Sequence, residues 1–177
     1  MATGQQQQQQ IRRRLLEERG NRFSQGGAPV ALLYPSPYRA GMSSVGFQWI
    51  LKILRDAGFQ AERAFLPDDV VGWRDSRVPL HTYETSRPVA HFPVIGISLA
   101  YELEIQGLIE ALELAGIPPL RADRNESHPR IVMGGPLTFS NPLPATPFVD
   151  AMLMGEAEDV VLPAFEAAVY TEGDAWL

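Results

Sequence analysis

Cysteine is absent from this sequence of 177 residues. Its absence excludes disulfide bonds, thiolate zinc sites and iron–sulfur clusters ligated by this chain. Basic residues are not in excess either: the formal net charge is −6, whereas a nucleic-acid-binding surface is basic. No apolar run approaches the roughly 20 residues that span a membrane, and the N-terminus lacks the pattern of a signal peptide. We therefore expect a cytoplasmic protein with neither a nucleic-acid partner nor a membrane partner.

The common catalytic motifs are also missing. No Walker motif is present and no Gly-x-Gly-x-x-Gly pattern follows the first strand, so the usual nucleotide-binding folds lack support. The three histidines, His81, His91 and His128, fall in predicted loops without the spacing of metal ligands. No Ser–His–Asp arrangement is visible. The isolated chain is accordingly not predicted to be an enzyme, and we assign it no catalytic and no metal-binding residue.

Residues 1–28 are predicted to form a peripheral segment. Glutamine fills positions 5–10, a low-complexity run that cannot build a packed core. The arginines at 12–14 could bind a partner, but Glu17 and Glu18 follow within a turn, which favours a solvated helix. Gly26 and Gly27 are typical of a linker. We expect removal of residues 1–27 to change the free energy of unfolding by no more than about 1 kcal/mol.

Residues 29–177 are predicted to form one α/β domain. Short apolar runs at 30–34, 94–99, 131–133 and 149–154 show no alternation, as expected for strands buried on both faces. Residues 60–66 are less apolar and predict a strand that is only partly covered at a sheet edge. Helical patterns follow the strands, for example with Phe47, Ile50, Leu51 and Leu54 on one face. This alternation predicts a doubly wound, five-stranded parallel sheet in a three-layer, flavodoxin-like domain.

Polar or glycine-rich segments follow four of the predicted strands, at 36–44, 98–102, 134–140 and 155–158. In a parallel sheet these strand ends meet at one rim, where ligands bind. Simpler explanations exist for each segment: a tight turn suffices for Gly134 and Gly135, and the helix macrodipole accounts for Glu102 and Glu156. Together, however, the segments indicate a flat or elongated ligand across the rim.

Four ordered stretches carry a resemblance to a known family. They are residues 34–48, which begin Tyr-Pro-Ser-Pro-Tyr-Arg-Ala-Gly-Met, the Ser-Leu-Ala-Tyr-Glu of 98–102, Gly134-Gly-Pro with Asn141-Pro, and Gly155-Glu-Ala-Glu. The chain resembles, over residues 29–170, the cobalamin-binding-type Rossmann-like domains that precede radical S-adenosylmethionine domains. The strand ends and the resemblance together predict these cofactor-binding residues: Ser36, Tyr38, Arg39, Gly41, Met42, Ser43, Ser98, Tyr101, Glu102, Gly134, Gly135, Pro136, Gly155 and Glu156.

The resemblance implies cobalamin, with its nucleotide tail beside the first strand and its corrin over the strand ends. Many such domains carry Asp-x-His-x-x-Gly after the first strand, and the histidine ligates cobalt. Counted back from Gly41, Ser36 stands at the aspartate and Tyr38 at the histidine, and a tyrosine with a pKa near 10 is a poor cobalt ligand. Bound cobalamin is therefore expected to lack a protein histidine ligand. Alternatively, the domain has lost cobalamin.

Proteins of this type continue into a barrel with a Cys-x-x-x-Cys-x-x-Cys cluster site, which this sequence lacks. The chain is thus expected to be an N-terminal fragment or a free-standing relative. The iron–sulfur cluster and S-adenosylmethionine belong to the missing C-terminal domain. We predict a cofactor-binding module that serves a radical enzyme in methyl transfer or rearrangement. A partner-docking domain with an empty rim and a flavodoxin-like domain for another small ligand are the alternatives.

Overall fold

The computed structural model describes residues 4–20, 23, 25–173 and 175–177. The strands are β1 (Pro29–Tyr34), β2 (Gln60–Phe65), β3 (Val94–Ser98), β4 (Arg130–Gly134) and β5 (Ala151–Met152). The α-helices are α1 (Gly4–Glu17), α2 (Tyr38–Ser43), α3 (Val45–Asp56), α4 (Val70–Ser76), α5 (Glu104–Ala115), α6 (Leu137–Ser140) and α7 (Ala157–Tyr170). Short 3-10 turns lie at Val89–His91, Arg121–Asp123 and Leu143–Phe148.

All five strands are parallel, in the order β2-β1-β3-β4-β5. This confirms the predicted flavodoxin-like sheet, with helices on its faces and β2 outermost. The order reverses direction between β1 and β3, because β2 lies on one side of β1 and all later strands lie on the other. Ligands in such sheets bind outside the carboxyl ends of the strands, beside this switch point. The last strand is shorter than the run at 149–154 predicted.

The outermost strand β2 is better covered than its composition predicted. Five of its six residues are buried, including Glu62 and Arg63. Glu62 accepts hydrogen bonds from the hydroxyls of Thr82 and Thr85, both at 2.6 Å. These polar partners come from the segment after α4. That segment lacks the regular apolar spacing from which burial can be predicted. The prediction of partial cover was wrong for this reason.

The N-terminal helix α1 contributes to the core rather than standing apart from it. Ile11 is only 5% exposed, and the Arg14 guanidinium donates to the Tyr83 hydroxyl at 2.6 Å. Just after the helix, Glu18 forms a two-point ion pair with Arg63 at 2.8 and 2.9 Å. Glu18 therefore neutralises a cation that is itself buried on β2. Residues 1–3, 21, 22 and 24, which fall in the segment predicted to be peripheral, lie outside the described residues.

The connection from β1 to α3, a polar and glycine-rich segment in the sequence, contains a short helix. Residues Tyr38–Ser43 form α2, and Ser44 then caps α3 by accepting a hydrogen bond from the Phe47 backbone N–H. The apolar stripe of α3 faces the sheet, because Phe47, Leu51 and Leu54 are buried. Within the described part of the chain, no helix is long and apolar enough to cross a bilayer.

Candidate functional site

An apolar pocket of about 460 Å³ lies between α3 and α7, against the carboxyl-terminal halves of the sheet strands. Leu32, Gly96 and Val132, one from each of β1, β3 and β4, line it on the sheet side. Phe47 of α3 and Phe165 of α7 line it on the helix side. Its size lies within the range of about 300–1,000 Å³ that is typical of small-molecule sites.

Few polar groups line this pocket. Glu156 is the one charged residue among the described residues of its lining, and lysine, arginine and histidine do not occur there. The Thr138 hydroxyl is already engaged, since it donates to the carbonyl of Gly135 at 2.8 Å. The lining therefore favours a neutral, largely apolar ring over a phosphate or carboxylate, which would require cationic or N–H donors.

The structure brings six of the predicted site residues together around this pocket. They come from the ends of β3, β4 and β5: Ser98, Gly134, Gly135, Pro136, Gly155 and Glu156. The other eight lie outside its lining: Ser36, Tyr38, Arg39, Gly41, Met42, Ser43, Tyr101 and Glu102. Six of these eight belong to the connection after β1, which folds as α2 toward β2, whereas the pocket extends toward β4 and β5. The other two, Tyr101 and Glu102, follow β3 and are exposed.

Tyr38 belongs to an aromatic cluster beside β2. Its ring stacks on Tyr83 with centroids 5.2 Å apart and meets Phe65 edge-on at 5.3 Å. Its hydroxyl donates to Glu18 at 2.7 Å. Burial, followed by the hydrogen bond to the Glu18 carboxylate, raises the pKa of Tyr38. The structure thus gives Tyr38 packing and hydrogen-bonding partners and does not bring it to the pocket.

Gly41 is explained by close packing in this aromatic cluster. A Cβ atom at this position would lie 2.4 Å from the Phe65 ring and 3.2 Å from the Cβ of Tyr34. The spacing that aligned Gly41 with a cobalamin motif therefore coincides with a steric requirement of α2 against β1 and β2. A glycine is needed here whether or not a ligand binds.

The paired glycines after β4 have different roles. Gly135 has φ +111°, and a Cβ there would lie 2.5 Å from the carbonyl oxygen of Leu99. It is required by the turn itself, as the simpler explanation of the sequence held. Gly134 faces open space, because its nearest neighbour to an added Cβ is the Leu153 Cβ at 3.9 Å. Of the two, only Gly134 leaves room beside the pocket.

A buried carboxylate that sequence reasoning missed lies at the switch point between β1 and β3. Glu104 is buried in the first turn of α5 and accepts a hydrogen bond from the Ala100 N–H at 2.6 Å and one from the Ser36 hydroxyl at 3.3 Å. Burial, followed by the charge of Glu104, raises the pKa of Tyr34 to about 12. Glu104 thereby ties the turn after β3 to the connection after β1. The sequence signal for such a residue is a carboxylate in the first turn of a helix that follows a strand. In the sequence analysis Glu102, and not Glu104, was named in this role.

Exposed apolar side chains follow several of the strands, and one of them, Phe139, lines the pocket. They stand on the segments that leave the carboxyl ends of β1, β3, β4 and β5: Val45, Tyr101, Leu103, Phe139, Leu143 and Met154. Leu103 is the most exposed of them, at 82%. Such a concentration on one edge is typical of a surface that another molecule covers. Among the described residues, no group of three or more histidines and carboxylates is placed to hold a metal ion.

Comparison with known proteins identifies a family for this chain. No curated protein matches the chain. The family model described as "Radical SAM proteins, N-terminal" matches residues 46–175, which contain α3 except its first residue, the strands β2 to β5 and the lining of the pocket contributed by α7. This match covers most of the chain, so the chain belongs to the family of N-terminal regions of radical S-adenosylmethionine proteins.

Proposed function

We propose that this domain is a cofactor-carrying module that binds cobalamin at the carboxyl edge of its sheet. The observation that carries the proposal is the apolar pocket between α3 and α7 at the strand ends. Its lining suits the uncharged heterocyclic ring that ends the nucleotide tail of cobalamin. Membership of the N-terminal radical S-adenosylmethionine family supports it, because such a protein has a partner domain that can use a carried cofactor.

The residues present fit the tail of cobalamin better than they fit a ligated cobalt. Leu32, Val132 and Phe165 would hold the ring of the tail, and Gly134 leaves space beside it. Bound cobalamin would supply the chemistry of methyl transfer or rearrangement. Tyr38 lies in the cluster with Tyr83, and the three histidines do not line the pocket. Cobalt would accordingly have no histidine ligand from the described residues.

Binding of hydroxocobalamin tests this proposal directly. The purified chain is mixed with hydroxocobalamin at high micromolar concentration, freed of unbound ligand by gel filtration and examined by visible absorbance. We expect the absorbance of cobalamin to elute with the protein. A colourless protein peak would contradict the proposal. Adding flavin mononucleotide in a parallel sample, with fluorescence read after denaturation, tests the third hypothesis, a flavodoxin-like site for another ligand.

A structural domain that has lost cobalamin is the second candidate, and one observation favours it. The connection that would approach a corrin, residues 35–44, is occupied by α2, which packs Gly41 against Phe65. In that case the carboxyl edge of the sheet would serve only to bind a partner domain. Absence of cobalamin binding together with association of the domain with a radical S-adenosylmethionine domain would favour this candidate.

A further inference from the structure

Trp49 borders two cavities whose linings differ in charge. It lines the apolar pocket, and it also lines a second cavity of about 500 Å³ between α3 and the residues that follow α1. Arg19, Lys52 and Asp56 are among the charged residues that line this second cavity. Trp49 is 43% exposed and therefore not part of the core, and its side chain borders both cavities.

A single hydrogen bond links this side chain to the opposite helix. The Trp49 indole Nε1–H donates to Oε1 of Glu158 at 2.7 Å. Trp49 belongs to α3 and Glu158 to the first turn of α7, so the bond joins the two helices that enclose the apolar pocket. A bond to a charged acceptor is stronger than one between neutral groups, which makes Glu158 suited to fix the indole in one orientation.

We propose that Trp49 is a specificity-determining residue of the apolar pocket and that Glu158 is its positioning residue. This inference rests on the proposed function. Held by Glu158, the indole ends the pocket on the α3 side and offers an aromatic face to a flat, uncharged ring. It excludes ligands that would place a charged group beside the ring, in the direction of Lys52. Without the bond, the indole can turn outward and the two cavities become continuous.

The first arm of the test measures the Trp49–Glu158 hydrogen bond in the absence of any ligand. The chain has three tryptophans, so an amide spectrum of ¹⁵N-labelled protein contains three indole N–H signals, and the spectrum of Trp49→Phe assigns one of them. Glu158→Ala is expected to shift the Trp49 signal and to speed its exchange with solvent about tenfold, the loss expected for one charge-assisted bond. Glu158→Gln keeps a carbonyl acceptor and should restore most of the protection.

Trp73 provides the internal control for this arm. Its indole N–H donates to the carbonyl of Val78 at 2.7 Å, a bond of the same length on a different part of the molecule. Its signal should be the same in the wild type, Glu158→Ala and Glu158→Gln. An unchanged Trp49 signal in Glu158→Ala would overturn the proposal.

The second arm measures hydroxocobalamin affinity. Trp49→Ala is expected to weaken binding about tenfold or more, because it removes both the aromatic face and the boundary of the pocket. Trp49→Phe and Glu158→Ala should cause similar, smaller losses of about threefold, since each removes the same hydrogen bond. Trp176→Phe, at the opposite edge of the sheet, is the control and should bind as the wild type does. Equal affinity of Trp49→Ala and the wild type would overturn the proposal. Failure of the wild type to bind would instead overturn the proposed function, and the indole signals would then decide the role of Glu158 alone.

Discussion

At the scale of single residues, some positions that the sequence suggested as ligand contacts are explained by packing within the protein. Gly41 and Gly135 were candidates for close approach to a ligand, yet an added Cβ would clash with Phe65 at one position and with the Leu99 backbone at the other. Glycine identity alone cannot distinguish these causes, since a ligand and a neighbouring chain segment impose the same steric limit. Glu104 was missed for a related reason: a carboxylate at a helix start is ordinary, and only its burial sets it apart.

The space beside Gly134 gives a graded test of the pocket. Gly134→Ala adds one methyl group into ordinary contact distance and should change cobalamin affinity less than about threefold. Gly134→Leu should fill the open space and reduce affinity by about 100-fold or more, because a ligand ring cannot share it. Equilibrium dialysis with hydroxocobalamin measures both. Equal affinities for the two variants would place the ligand elsewhere. Gly135→Leu is unsuitable as a blocking variant, since the positive φ and the Leu99 backbone make it a folding defect.

The raised pKa of Tyr34 predicts a loss of stability at alkaline pH. Its pKa is raised from 10.0 to about 12 by burial and by the Glu104 carboxylate. Because the folded state holds this proton more tightly than the unfolded chain, its contribution is complete below about pH 10 and is lost as the pH rises through about 12. Thermal unfolding between pH 8 and pH 12 measures this loss.

The same series in Tyr34→Phe should fall less steeply above pH 10, although Tyr38 and Tyr83, whose pKa values are also raised, keep part of the dependence. Tyr101→Phe is the matched control, because Tyr101 is half exposed. Identical curves for Tyr34→Phe and the wild type would contradict the assignment.

Among the elements, the central strands were the most predictable, and the ends of the chain the least. β1, β3 and β4 are buried on both faces, so their unalternating apolar runs determine the strands almost by themselves. β2 is covered through an ion pair and hydroxyl contacts, whose partners lie 20 or more residues away in sequence. Likewise, nothing in the polyglutamine segment indicates that Ile11 and Glu18 contact the core. Polar partners have no periodicity, so sequence patterns cannot assign them.

Truncation of the N-terminus measures the contribution of α1. Deleting residues 1–20 removes Ile11 from the core and leaves Arg63 without Glu18, and should lower the free energy of unfolding by about 3 kcal/mol or more. Deleting only residues 1–8 leaves Ile11 and Glu18 in place and should change it by less than about 0.5 kcal/mol. Urea unfolding followed by circular dichroism provides both values. A loss of 1 kcal/mol or less for the longer deletion would restore the original expectation of a peripheral segment.

For the whole molecule, the topology predicts where function is located. The sheet places four strand ends at one edge, and that edge holds both the apolar pocket and the exposed apolar side chains. This convergence was predictable, because it follows from parallel strands alone. The direction taken by residues 35–44 was not predictable, since a six-residue helix with an internal glycine has weak local signals. This accounts for six of the eight predicted site residues that do not line the pocket; the other two, Tyr101 and Glu102, follow β3.

The exposed rim predicts how the domain meets its partner. In a protein that also contains a radical S-adenosylmethionine domain, we expect that domain to cover Leu103 and Leu143. Leu103→Ser with Leu143→Ser should then loosen the association and make the connection between the domains more sensitive to limited proteolysis. Leu120→Ser is the control, because Leu120 is also exposed but lies near the opposite edge of the sheet. Equal proteolysis of all variants would show that the rim is not the contact.

The most direct test of the account compares cobalamin with cobinamide, which has the same corrin and cobalt but lacks the nucleotide tail. The central claim is that the pocket between α3 and α7 holds the ring of that tail. Isothermal titration of the purified chain with each compound should therefore show binding of hydroxocobalamin and an affinity for cobinamide at least about 100-fold weaker. Equal affinity for the two compounds, or no binding of either, would contradict the claim.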